Sequence, residues 1–123
     1  MAYKPDGFPS VAPYVFVEKV APFLEFLQAM FGATVIDALS ADDGEIHHAA
    51  VWIDDTVVMM GPMPQPPQSH LHVYVPDVDI VFSNGLQAGG SVFEPPTDQP
   101  YGDRRGAVVD PSGAVTFWVA TRG

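Results

Sequence analysis

The sequence predicts an α+β fold of two tandem βαβββ modules whose curved mixed sheets enclose a cavity. Three observations predict it. The chain repeats itself: Val15-Phe16-Val17-Glu18-Lys19-Val20 returns as Val73-Tyr74-Val75-Pro76-Asp77-Val78, 58 positions on, and Gly32-Ala33-Thr34-Val35 as Gly89-Gly90-Ser91-Val92, 57 on. Within each copy the apolar spacing changes from strand-like to helical and back. A proline-rich stretch over 61–68 parts the copies, because prolines without N–H donors cannot join a central strand.

The elements follow in order. Residues 10–17 alternate around a β-branched and aromatic run and read as a strand. Val20, Phe23, Leu24, Leu27 and Phe31 then recur at helical spacing, with Pro22 tolerable in the first turn and Gly32 as the stop. A strand over 34–39 and a turn over 41–44 lead to two strands, 45–53 and 56–60, joined at Asp54-Asp55. The second copy repeats this with a strand over 70–75, a helix from an Asp77 cap to about Ala88, and a strand over 91–94. A loop over 95–103 precedes strands 105–109 and 114–120, which turn at Asp110-Pro111-Ser112-Gly113. Val78, Val81, Phe82 and Leu86 form the second helix's apolar stripe, and Gly85 within it weakens the helix by roughly 1 kcal/mol against alanine. A weaker echo sets 49–60 against 106–117 at offset 57. The expected organisation is one domain over 1–123, with modules at 9–61 and 70–121 and a linker at 62–69.

Composition narrows the function classes. The chain has 123 residues and no cysteine, which excludes disulfides, thiolate metal sites and a cysteine nucleophile. Fifteen acids oppose five Lys and Arg, for a net charge of −10, so neither nucleic acid nor an anionic membrane is an expected partner. The plain reading of this surplus is a soluble acidic surface, and the functional one is a mild preference for cationic ligands. With no apolar signal region at the amino end and no membrane-spanning run, a cytoplasmic protein is expected.

Strand periodicity separates the faces. Leu71, Val73 and Val75 should meet the helix, leaving His70, His72 and Tyr74 on the cavity side, with Ala12, Tyr14 and Phe16 as their counterparts in the first module.

The duplicated order, with Tyr101-Gly102-Asp103-Arg104 and then Asp110-Pro111-Ser112-Gly113, resembles the glyoxalase/bleomycin-resistance family, the vicinal oxygen chelate superfamily. The likeness covers roughly residues 9–121, and the closing run from Thr116 to Thr121 looks like the aromatic last strand of its small bacterial members. Metal-dependent members hold a divalent ion with four side chains, two on the first strands and two on the last strands of the modules. Carried onto this chain, those positions fall on Ala12, on His70, on Met59 or Met60, and on Phe117 or Trp118, with an apparent extra residue at Ala114-Val115 blurring the last register by one. One imidazole does not hold a catalytic ion, so the resemblance implies neither a metal nor another cofactor. It does imply a two-chain assembly.

His70 and His72 share a strand face and are candidate acid–base residues or hydrogen-bonding groups of a pocket. His47 and His48 point to opposite faces, with His48 expected inward. Tyr14, Phe16, Trp52, Met59, Met60, Tyr74, Phe117 and Trp118 could line an aromatic and thioether cavity, although core packing accounts for any one of them. Arg104 and Arg105 lie beside Tyr101, and one of the two could clamp a ligand carboxylate, with Tyr101 and Arg104 as the candidate site residues; pairing with Asp103 or Asp110 is the plainer expectation. The leading expectation is a metal-independent, homodimeric binder of an apolar or aromatic small molecule, cationic ones included. The rival is an enzyme of the same fold, a lyase, isomerase or cyclase, or dioxygenase-like, using His70 and His72 or a displaced metal site that includes His48.

Overall fold

The doubled order of the sequence is carried by β1 (Tyr14–Val17), α1 (Val20–Phe31), β2 (Thr34–Ser40), β3 (Ile46–Ile53) and β4 (Thr56–Pro62), then β5 (Ser69–Tyr74), α2 (Val78–Gln87), β6 (Ser91–Asp98), β7 (Asp103–Val109) and β8 (Val115–Arg122). The computed structural model describes residues 3–123; Met1 and Ala2, part of the amino end read above as lacking a signal region, lie outside the described residues. Each module forms a four-stranded mixed sheet, in the orders β1-β4-β3-β2 and β5-β8-β7-β6. The first strand of each module runs parallel to the last, and the remaining pairs are antiparallel.

Local chemistry sets the ends. Gly32 caps α1 at φ 66°, a left-handed conformation, with its N–H donated to the Gln28 carbonyl. The Asp77 carboxylate accepts the N–H groups of Asp79 and Ile80 and so caps α2. Thr121 Oγ1 then accepts the Val78 N–H at 2.9 Å and donates to the Val75 carbonyl at 2.8 Å, tying α2 to the end of β8.

Three differences from the sequence reading have physical causes. β6 continues through Pro95-Pro96 to Asp98, where a loop was expected. It is the edge strand of its sheet and is bulged on both sides of Glu94, so prolines without donors are tolerated there. β1 starts only at Tyr14, after Pro13. Lastly, Trp52 pairs with Val57 whereas Val109 pairs with Thr116, so the second hairpin is two residues longer. The offset of 57 therefore holds from β3 to β7 but becomes 59 from β4 to β8. Met59 matches Trp118, and Val58 matches Phe117.

One core serves both modules. Val15, Val17, Ala49, Val51, Val58 and Met60 of the first sheet share an apolar cluster with Val108, Val115, Phe117 and Val119 of the second. Phe117 of β8 is fully buried among three rings of α1, with centroids 6.1 Å from Phe23, 6.0 Å from Phe26 and 5.2 Å from Phe31. The helices approach closely where a Cβ on Gly85 would stand 2.9 Å from Met30 Sδ. The helix-side faces are thus consumed within the chain, and each sheet keeps one open face.

Candidate functional site

The open faces take their residues from strand alternation and cross-strand register. On the first, Tyr14 and Phe16 of β1 lie beside Met59 and Gly61 of β4, then Ala50, Trp52 and His48 of β3, then Asp37 of β2. Tyr14 lies across Gly61, where an added Cβ would meet its hydroxyl at 2.6 Å. That hydroxyl is 3.4 Å from His48 Nδ1, and His48 Nε2 is 3.8 Å from Asp37 Oδ1. Trp52 meets Phe8 edge-on at 6.2 Å.

On the second face, His70, His72 and Tyr74 of β5 lie beside Thr116, Trp118 and Ala120 of β8, then Ala107 and Arg105 of β7 and Glu94 of β6. Trp118 is the hub. Phe93 meets it edge-on at 5.4 Å, and the Arg105 guanidinium lies 4.7 Å from its ring centroid. Arg105 is held there by Glu94, through Nε at 3.1 Å and Nη2 at 3.3 Å, while its Nη1 donates to the Tyr101 hydroxyl at 3.3 Å. The Glu94 carboxylate, first of all, holds the Arg105 pKa above its ordinary value.

One hydrogen bond decides the chemistry of His70. Trp118 Nε1 lies 3.0 Å from His70 Nδ1, and an indole nitrogen can only donate. Nδ1 is therefore the acceptor, and the neutral ring carries its proton on Nε2. His70 presents an N–H to anything on this face, not a lone pair. His72 packs on Tyr74 with centroids 4.8 Å apart. Tyr74 in turn donates to Asp103 Oδ2 at 2.8 Å, which raises its pKa above the ordinary phenol value. Asp103 is 2% exposed, and its Oδ1 lies 3.0 Å from Arg122 Nε without an aligned hydrogen bond.

Within one chain these faces have no roof. Tyr14 is 44% exposed, Tyr74 55% and Phe93 55%. A groove of about 320 Å³ lined by Pro13, Asp54, Thr56, His72 and Tyr74 reaches the rim of the second face but not His70 or Trp118.

The sequence matches the family model of the Glyoxalase/Bleomycin resistance protein/Dioxygenase superfamily over residues 7–116. The chain belongs to this superfamily. Uncharacterised proteins of Mycobacterium bovis and Mycobacterium tuberculosis are each 33% identical over 119 residues, a span covering 85% of this chain and 78% and 70% of theirs. TioX from Micromonospora sp. ML1 superimposes with a TM-score of 0.80 at 21% identity, over 94% of this chain and 99% of that one. A glyoxalase/bleomycin resistance protein from Catenulispora acidiphila DSM 44928 gives 0.69 at 16%, over 92% and 97%. At these identities the structural likeness is one of fold.

The superfamily's divalent ion does not fit the residues present. Its four positions fall on Ala12, Met59, His70 and Trp118, and the Nδ1 of the one imidazole is already bonded to the indole. Among the described residues, no three His, Cys, Asp or Glu come close enough to hold a metal ion.

Several expectations need correction. Met60 and Phe117 are core residues, fully buried on the helix side, and Met59 and Trp118 take the open faces. Arg104 projects to the outer side, where it pairs with Asp79 at 3.1 Å and Asp98 at 3.2 Å. Neither arginine bonds Asp103 or Asp110: Asp103 faces Tyr74 and Arg122, and Asp110 accepts the N–H groups of Ser112 and Val115 in the β7–β8 turn. Asp37, Phe93, Glu94 and Asp103 were missed as open-face residues. The offset of 57 would have flagged two of them, since it sets Asp37 against Glu94 just as it sets His48 against Arg105.

Proposed function

We propose that this protein binds a flat, apolar or aromatic small molecule without a metal. The cavity forms when the open face of the first module meets that of the second module in another copy of the chain. The observation that carries the reading is the Trp118–His70 bond at a chelate position: indole, thioether and methyl stand where donors would be needed, and the imidazole is tied to the indole. The aromatic walls, exposed in one chain, suit a stacked ligand, with the His70 Nε2–H to orient an acceptor on it. A dimer gives each wall a facing partner. Among the described residues, the permanent cations on these faces are Arg105 and Arg122, both paired with carboxylates, so nucleic acid and anionic membranes are not the partners we propose. No helix among the described residues is long and apolar enough to cross a membrane; we place the protein in the cytoplasm.

Calorimetric titration of chelator-treated protein with Zn²⁺, Ni²⁺ and Fe²⁺ should show no stoichiometric uptake. Small aromatic compounds should raise the Tm of the wild type and raise it less in Trp118→Ala. One-to-one metal binding lost in His70→Ala would overturn the reading.

A metal-free enzyme is the second reading, and one observation favours His72 over His70 for it. No hydrogen bond within the described residues engages the His72 ring, so either nitrogen can take or give a proton. Turnover lost in His72→Asn but kept in His70→Asn would establish it.

A further inference from the structure

Each open face is crossed by a matching row. The first runs Asp37, Ala50, Met59, Tyr14 over β2, β3, β4 and β1; the second runs Glu94, Ala107, Trp118, His72 over β6, β7, β8 and β5. Each row opens with a carboxylate on an edge strand. Two residues before each alanine stands a nitrogen base, His48 in one module and Arg105 in the other. The two modules thus repeat one device with a different base.

The difference lies in whether the carboxylate is free. Glu94 is locked by two hydrogen bonds from Arg105, whose charge is permanent. Asp103, the other carboxylate of the second face, is buried against Tyr74 and Arg122. Among the described residues, Asp37 has only His48 Nε2, at 3.8 Å, outside hydrogen-bond reach. Of the three, Asp37 alone has no permanent cation among the described residues, and the Tyr14 and Phe16 rings, 5.2 Å apart, lie on the same face.

We propose that Asp37 anchors a positively charged group of the ligand and that His48 gates this site. This rests on the small-molecule reading above and adds the ligand's charge: an aromatic bearing an ammonium or other fixed cation, gripped by a carboxylate and aromatic rings. An uncharged His48 leaves Asp37 available. A protonated His48 takes the place that Arg105 holds in the second module and neutralises the carboxylate. The groups facing His48 are Tyr14 from β1, through its hydroxyl at 3.4 Å, and Asp37 from β2; β4 offers Gly61, without a side chain. Charging the imidazole therefore weakens cation binding, and histidine is the side-chain type that changes charge within the physiological range.

The test compares thioflavin T, a permanent cation, with its uncharged analogue lacking the ring N-methyl group. Binding is measured by fluorescence at pH 5 and pH 8 in about 150 mM salt, which screens the field of remote carboxylates. The wild type should prefer the cation by about tenfold at pH 8 and hardly at all at pH 5. Asp37→Asn should lose the preference at both pH values, and His48→Arg should lose it at pH 8. Glu25→Gln, an exposed helix residue with the same change in net charge, should keep it. A preference that survives Asp37→Asn, that falls equally in Glu25→Gln, or that is the same at pH 5 and pH 8 would overturn the assignment. Equal binding of both probes to the wild type would overturn it and leave the aromatic pocket standing. Binding of neither would overturn both.

Discussion

The Tyr74 hydroxyl donates to the almost wholly buried Asp103 carboxylate, and that hydrogen bond, ahead of desolvation and the carboxylate's charge, keeps the phenol protonated beyond its ordinary range. The sign follows from linkage. A pKa raised on folding adds stability at every pH below about 10, where the unfolded phenol titrates, and loses it as pH rises through the raised value. Asp103→Asn should therefore lower the ionisation midpoint of Tyr74, followed through its ring carbon shift by NMR; an unchanged midpoint would refute the coupling. Strand alternation alone set His70, His72 and Tyr74 apart from Leu71, Val73 and Val75, because period two needs no tertiary information. It could not choose between Met59 and Met60, or between Phe117 and Trp118, because an error of one residue in register exchanges the two faces, and the β7–β8 hairpin is longer by two residues where the sequence suggested one. Nor could it show the Trp118–His70 bond, which joins residues 48 apart, or give Arg104 its partner Asp79, 25 residues away.

At the scale of elements, Gly85 reverses an expectation drawn from propensity. Alanine in a helix interior normally gains about 1 kcal/mol over glycine. Here the new Cβ would stand 2.9 Å from Met30 Sδ, 3.1 Å from Met30 Cε and 3.2 Å from Val108 Cγ1, where α2 lies against both α1 and β7. Overpacking of this kind costs about 1–3 kcal/mol. Gly85→Ala should lower the Tm in the wild type and become neutral or stabilising in a Met30→Ala background, a coupling that denaturant melts of the four proteins would measure. Equal effects in the two backgrounds would mean that the helices do not meet through this pair. The helices and the central strands were legible because their apolar spacing and their caps agree. β6 was not, since prolines read as loop unless the strand is known to lie at an edge.

For the whole molecule, the duplication suggests two independent halves, yet the packing joins them. Phe117 belongs to the second sheet but is ringed by three phenylalanines of α1, and one apolar cluster runs through both modules. A shared core predicts one cooperative transition. The two tryptophans report on it separately, because Trp52 sits on the first sheet and Trp118 on the second. Trp52→Phe and Trp118→Phe proteins, each with one indole, should unfold in urea with the fluorescence midpoint coinciding with the loss of helical circular dichroism in the same protein. Phe117→Ala should cost about 3–5 kcal/mol and move both midpoints together, because it removes the ring on which the modules meet. If only the Trp118 midpoint moved, the modules would fold separately, and their joint would be a contact between finished domains. Consuming both helix-side faces in this joint is what leaves the aromatic faces uncovered in one chain. The interaction that holds the halves together is therefore also the reason the proposed binding mode calls on a second copy to cover those faces.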